Sequence, residues 1–497
     1  MTHDPSLRAL LASLLVVGWD SPDPTPELER LLDQGLGGVI LHSRNVRSAV
    51  QLRRTLAAMR EHQNDLVVGV DQEGGRISHL TRAECPESPG AAALGVVDDV
   101  RATRECAEQL AGHLAGLGID ASYSPVVDVQ SDPENPIIRT RSFGEDPSLV
   151  SRHAVAWIEG TQGSGVAACA KHFPGHGATA VDSHLGDAVD RRDWKQIEEI
   201  DLAPFRAAID AGVAQIMTSH VRFPALDDTP TTLSRRLVAD IARTELGFTG
   251  VIISDALEMA AIASRVGVAE GAALALAAGV DQLCIAEPDP ALHDRVLDRL
   301  EEGARNGDLD VEALEASSER VRAMHRAARG VRESAREGSP STPRVSRGGA
   351  GMHAARRAVD STDALSTLTR PVVIDLYRRP KAALEWDGWD LATLVRERCD
   401  EADGLSTTTS EDLDIESALE LATGRSLVLA VQDPFLNSWQ QPIVEEIHRQ
   451  RPDLTLVSTG LPDPGAGLCS FGRGSSNLVA AAEAISRACH PGTGHPA

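Results

Sequence analysis

Eight short apolar runs separated by amphipathic segments constrain this chain more than any other feature. They read LLVVGW, GGVILHS, LVVGVD, YSPVVDV, AACAKHF, AQIMTSH, GVIISDA and DQLCIA, the last ending at Ala286. Runs this short suit buried strands. The segments between them have helical periodicity, as in VRATRECAEQLAGHLAGLG and WKQIEEIDLAPFRAAIDAG. Strand and helix in alternation imply a parallel sheet, because each helix returns the chain to the edge where the next strand starts. Eight such units predict an α/β fold with a closed, TIM-like (β/α)8 barrel rather than an open doubly wound sheet. Apolar residues make up 42% of the chain but aromatics only 3%, so Ala, Leu and Val must fill the core.

The barrel is expected over residues 1–335. Gly330 to Gly351 (GVRESAREGSPSTPRVSRGGAG) has no apolar face and is rich in Ser, Arg, Gly and Pro, which reads as a linker. A linker and connecting helix are assigned to 336–360. Beyond it, PVVIDLYR, RSLVLAVQD and LTLVSTGL read as strands with helices between them. Residues 361–497 therefore form a smaller αβα sandwich-type unit of roughly 140 residues, with the tail HPGTGHPA disordered. The N-terminal LRALLASLLVVGWD reads as a helix entering the first strand. It is not read as a secretory signal, since Arg8 is its sole basic residue and no small-residue cleavage site precedes Pro22.

The net charge of -25 argues against nucleic acid as a partner, because phosphates are repelled by such a surface. No apolar run approaches the length of a membrane span. The seven cysteines are scattered, odd in number and free of CxxC pairs, which fits reduced thiols in a cytoplasm.

Reactive groups concentrate in Lys171 to His184, KHFPGHGATAVDSH. Asp182 lies two residues from His184, and a carboxylate beside an imidazole orients the ring and tunes its pKa, which starts near ~6.5. His184 is thus a candidate general acid and base, with Asp182 as its partner. Asp255 ends the run VII and is a candidate nucleophile for an anomeric carbon; the plain alternative is an N-cap for the helix that follows. Lys171 and His172 can donate hydrogen bonds to sugar hydroxyls, Asp71 can accept them, and Arg141 can bind a hydroxyl or a charged substituent. The plain alternatives are a turn cap for Asp71 and an ion pair with Glu145 or Asp146 for Arg141. His113, His153 and His220 read as structural. HFPGH spaces two histidines four apart, but Pro174 and Gly175 forbid the helix that would bring them onto one metal, so no metal site is expected.

DQEGGR, RSFGEDP, KHFPGHGAT-x2-DSH, PTTLS and ELGFTGVIISDALEM occur in this order. Together they resemble glycoside hydrolase family 3, in its β-N-acetylglucosaminidase branch. The resemblance implies a TIM-like barrel, no cofactor, and a retaining double displacement with Asp255 as nucleophile, His184 as acid/base and Asp182 as its dyad partner. It places Asp71, Arg141, Lys171 and His172 in the terminal-sugar subsite. Two positions depart from the family pattern: His79 stands where many relatives carry a sugar-side arginine, and Arg139 where they carry glycine. His79 is therefore included among the substrate-binding candidates. The implied function is exo-acting removal of N-acetylglucosamine from cell-wall or chitin-derived oligosaccharides in the cytoplasm. A phosphorylase using the same residues is the runner-up, since an imidazole does not repel phosphate as a carboxylate would. A catalytically silent sugar-binding protein is the alternative from another class.

Overall fold

The computed structural model describes residues 5–181, 186–338, 349–362, 365–377, 390–463 and 465–490. Eight parallel strands form one sheet: β1 Leu15–Val17, β2 Gly38–Leu41, β3 Val67–Val70, β4 Ala121–Ser122, β5 Ala167–Phe173, β6 Gln215–Thr218, β7 Val251–Ser254 and β8 Leu283–Ile285. Their spatial order is β7-β6-β5-β4-β3-β2-β1-β8, and a parallel bridge between Ile253 and Gln282 closes the ring. The chain begins as expected, with helix Pro5–Ala12 leading into β1.

Strand alternation sorts each run into two cores. Leu15, Val17, Val39, Leu41, Val68, Val70 and Ile252 face outward into the large shell shared with the helices. Val16, Ile40, Val67, Cys169, Met217, Ile253 and Cys284 face inward and fill the barrel. Gly69 is also inward, and Tyr123 occupies the space a side chain would need: a Cβ there would lie 2.3 Å from the Tyr123 hydroxyl oxygen.

The fourth strand differs from expectation. YSPVVDV was read as the strand, but regular pairing ends at Ser122 and resumes only as an isolated bridge between Val126 and Lys171. Pro125 has no N–H to contribute to a strand ladder.

The linker reading is also corrected in part. Helix Val311–Gly338 continues through the segment from Gly330 that was read as linker. The cause is electrostatic rather than apolar. Arg332 Nη2 contacts the buried Asp120 carboxylate at 2.7 Å, and its Nη1 donates to the Ile119 carbonyl oxygen at 3.0 Å. Arg60 meets the other Asp120 oxygen at 2.7 Å. The same helix inserts Val321 and Met324 into the inner core from below, and Arg320 and Arg243 pair with the buried Asp281. Two buried aspartates thus anchor the floor of the barrel.

A second sheet is wholly parallel: β9 Val372–Leu376, β10 Asp403–Thr407, β11 Leu427–Val431, β12 Thr455–Ser458 and β13 Leu468–Cys469, in the order β10-β9-β11-β12-β13. Val373, Val428 and Val457 pack on one face with helix Ser475–Cys489, and Ile374, Leu429 and Val431 pack on the other with Ile443 and Ile447. This is an αβα sandwich. The edge strands β10 and β13 went unread in the sequence because DGLST and LC hold too few apolar residues to signal strand. Helix Ala350–Asp360 packs between the two units, against helices Ala91–Val97, Val100–Leu117 and Ser475–Cys489. The tail beyond His490 lies outside the described residues. Among those described, no helix is long and apolar enough to cross a membrane.

Removing Asp120 leaves Arg60 and Arg332 without their buried counter-charge. Asp120→Ala is expected to lower unfolding free energy by about 3–5 kcal/mol in denaturant titration. Turnover at temperatures where the variant stays folded should be unchanged, because the floor lies at the end of the barrel opposite the strand C-termini.

Candidate active site

The same alternation that builds the inner core dictates what stands at its mouth. Gly69, Cys169 and Ile253 point inward, so the next inward positions are Asp71, Lys171 and Asp255. All three lie within electrostatic reach of the buried Cys169 thiol, which forms part of the layer beneath them. The barrel fold thus gathers three residues that are far apart in the chain.

Lys171 is nearly inaccessible. Its Nζ donates to Asp71 Oδ1 at 2.5 Å and contacts Glu73 Oε1 at 2.7 Å. Glu73 is also held by Arg141 through two bonds, Nε to Oε2 at 2.9 Å and Nη2 to Oε1 at 2.8 Å. Arg141 Nη2 further donates to His172 Nε2 at 3.2 Å. That assignment leaves the ring proton of His172 on Nδ1, which donates to Asp128 Oδ2 at 2.7 Å. A continuous chain of polar groups therefore runs Asp71, Lys171, Glu73, Arg141, His172, Asp128. Burial acts to raise the Glu73 pKa, but Arg141 and Lys171 outweigh it and hold the carboxyl well below the usual range. Burial would lower the Lys171 pKa, yet Asp71 and Glu73 hold it above its ordinary value. At Asp128 burial is again opposed, by the His172 ring, and the net direction is downward.

The four sugar-binding candidates Asp71, Arg141, Lys171 and His172 are thus brought together. Arg141 pairs with Glu73 and not with Glu145 or Asp146. The fifth candidate, His79, has Asp71 and Glu73 as its foremost charged neighbours. Its ring lies 3.1 Å from the Ser43 hydroxyl and packs edge-on against His42, and the residue is 5% exposed. Asp255 is not the N-cap of the following helix, which starts after Met259. Its Oδ1 accepts the N–H of Ala256 at 2.8 Å, and His220 braces that turn by donating Nε2–H to the Ala256 carbonyl oxygen at 3.0 Å. His113 and His153 are likewise engaged with the Ala83 carbonyl oxygen and with Thr103.

Asp182 and His184 lie outside the described residues. The described residues that precede them are tied down: the His176 N–H donates to Asp128 Oδ1 at 2.8 Å. Asn135 Nδ2 holds the carbonyl oxygens of His176 and Thr179 at 2.8 and 2.9 Å. Gly177 must be glycine, since a Cβ there would sit 1.6 Å from the Val129 carbonyl oxygen.

Two residues escaped sequence reasoning. Glu73 sits inside the DQEGGR motif, but its cationic partners are distant in sequence. Glu258 lies three residues past Asp255. Among the described residues its Oε2 is buried without a hydrogen-bond partner. Among the described residues no cluster of His, Cys, Asp or Glu is arranged to hold a metal ion.

A parallel eight-stranded barrel with acidic and basic residues at its strand C-termini has the architecture of a TIM-barrel enzyme. The sequence profile of the Glycosyl hydrolase family 3 N terminal domain matches residues 7–324, and the chain belongs to that family. Relatives similar to it carry the names of hexosaminidases and β-N-acetylglucosaminidases. A Beta-hexosaminidase of Nitrosomonas eutropha is 37% identical over 273 residues, covering 54% of this chain and 78% of the relative. The solved family 3 β-N-acetylglucosaminidase of Paenibacillus sp. str. FPU-7 superposes with TM-score 0.87 at 26% identity, covering 97% of this chain and 96% of that one. NagZ of Neisseria gonorrhoeae, solved with N-trifluoroacetyl-D-glucosamine, covers 63% of this chain and 97% of its own at 30% identity and TM-score 0.53.

Glu258 yields a pH-dependent prediction. Burial, with repulsion from Asp255, pushes its carboxyl up to about 7 from 4.5. The folded state therefore binds more protons than the unfolded state between these values, and stability falls as pH rises through that window. Glu258→Gln removes the penalty. Urea unfolding should show the variant gaining on the wild type from pH 5 to pH 8, by about 2 kcal/mol at the upper end.

Proposed function

We propose that this enzyme removes terminal N-acetylglucosamine from β-linked cell-wall or chitin-derived oligosaccharides by a retaining double displacement. The observation that carries the proposal is that Asp255 stands two residues past the inward Ile253 at the C-terminal end of β7, as Asp71 and Lys171 stand two past the inward Gly69 and Cys169. Asp71, Lys171, Arg141 and His172 form one network of acceptors and donors at the barrel mouth, and sugar hydroxyls can replace bonds within it. Asp255 attacks the anomeric carbon while His184, oriented by Asp182, protonates the departing oxygen. Water then resolves the glycosyl-enzyme with His184 as base. The amino-sugar analogue bound by the gonococcal relative supports the choice of sugar. Hydrolysis is preferred over phosphorolysis because the relatives are named hexosaminidases. Seven scattered thiols, five of them buried, support a reducing, cytoplasmic setting.

A chromogenic β-N-acetylglucosaminide should release free N-acetylglucosamine whether or not phosphate is present, and proton NMR should show the β-anomer first. A sugar 1-phosphate as main product, or initial release of the α-anomer, would sink the hydrolytic retaining reading. Asp255→Asn should reduce kcat by about three orders of magnitude or more without loss of fold by circular dichroism. His184→Ala should slow substrates with poor leaving groups far more than activated aryl glycosides. A uniform loss across leaving groups would count against its acid role.

A further inference from the structure

Arg139 occupies a position that its backbone makes costly. It has φ +45°, a region that bulky residues rarely enter. Its backbone N–H donates to Gln130 Oε1 at 2.6 Å, and its Nη1 donates to the Pro133 carbonyl oxygen at 2.6 Å. Its Nη2 leaves the barrel and meets Asp433 Oδ1 at 2.7 Å, in the turn that follows β11 of the second unit. Arg139 is 7% and Asp433 9% exposed. The Phe435 ring caps the guanidinium at 4.7 Å. Two residues on, in the same single helical turn Arg139–Arg141, stands Arg141.

The partner of Arg141 is braced from the same side. Glu73 belongs to the hairpin of Gln72–Gly74 and Ile77–Ser78. The tip of that hairpin is pressed by the second unit: a Cβ on Gly474 would lie 2.8 Å from the Gly75 Cα. Phe471 and Gly472 line the same cavity as Glu73 and Arg141. Both halves of the Glu73–Arg141 bridge therefore abut the αβα unit.

We propose that the αβα unit is part of the sugar-binding apparatus, with Arg139 and Asp433 as positioning residues that hold the Arg141 turn in register with Glu73. Neither residue touches substrate. The second unit acts on the terminal-sugar subsite through the barrel's own arginine. The inference rests on the proposed amino-sugar chemistry and goes beyond it by giving the second unit a role.

The test compares wild type, Arg139→Gly, Asp433→Asn and the double variant. Glycine adopts φ +45° without strain, so Arg139→Gly deletes the ion pair while easing the backbone. Dissociation constants for N-acetylglucosamine are measured by calorimetry, and KM and kcat on a chromogenic β-N-acetylglucosaminide, at temperatures where circular dichroism shows each protein folded. Each single variant should weaken binding and raise KM about tenfold, with kcat changed by less than about threefold, and the double variant should be no worse than either single. Variants that melt earlier yet bind the sugar as wild type does would overturn the proposal, because the pair would then serve stability alone. Effects that multiply in the double variant would also overturn it. A wild-type protein inert toward the amino sugar would remove the functional reading and this proposal together, an outcome distinct from both.

Discussion

The buried chain of alternating charge at the barrel mouth is the constraint on which the rest of this structure depends. Lys171 is held in place only because two carboxylates meet its ammonium group, and Glu73 is tolerated only because Arg141 and Lys171 flank it. A buried ion without partners is costly, and removing any one member strands its neighbours. The chain of contacts consequently specifies geometry more than it adds stability. It fixes donors and acceptors at the barrel mouth in positions set by the fold rather than by any ligand.

That rigidity is supplied from several directions. Asp128 serves both the His172 ring and the His176 backbone, so one carboxylate orients an imidazole at the barrel mouth and the backbone that follows β5. His220, read from sequence as structural, braces the turn after Asp255. The floor of the barrel is pinned by Asp120 and Asp281 to arginines of the long helix Val311–Gly338. With so few aromatic side chains, the interior relies on Tyr123 filling the space left by Gly69 and on residues the size of Val, Ile, Cys and Met elsewhere.

Much of the barrel was legible because strand periodicity and helix periodicity are local properties. Seven of the eight runs contain their strands nearly as read, and the exception, YSPVVDV, is interrupted by a proline. Local composition misled where charge substitutes for hydrophobicity. The segment after Gly330 has no apolar face, yet Arg332 keeps it helical by reaching Asp120, more than two hundred residues earlier in the chain. Edge strands DGLST and LC were missed for the complementary reason, since hydrogen bonding to neighbours rather than side-chain burial makes them strands.

The sequence by itself determined the fold class, the family and the reactive residue types, because periodicity and motif spacing are written in consecutive residues. The tertiary structure alone decided which charges meet. It paired Glu73 with Arg141 and Lys171, turned His79 toward Ser43 and His42, and brought Arg139 to Asp433 across the two units. Those choices depend on barrel closure and on the packing of one unit against the other, which set distances between residues that the linear chain leaves unrelated.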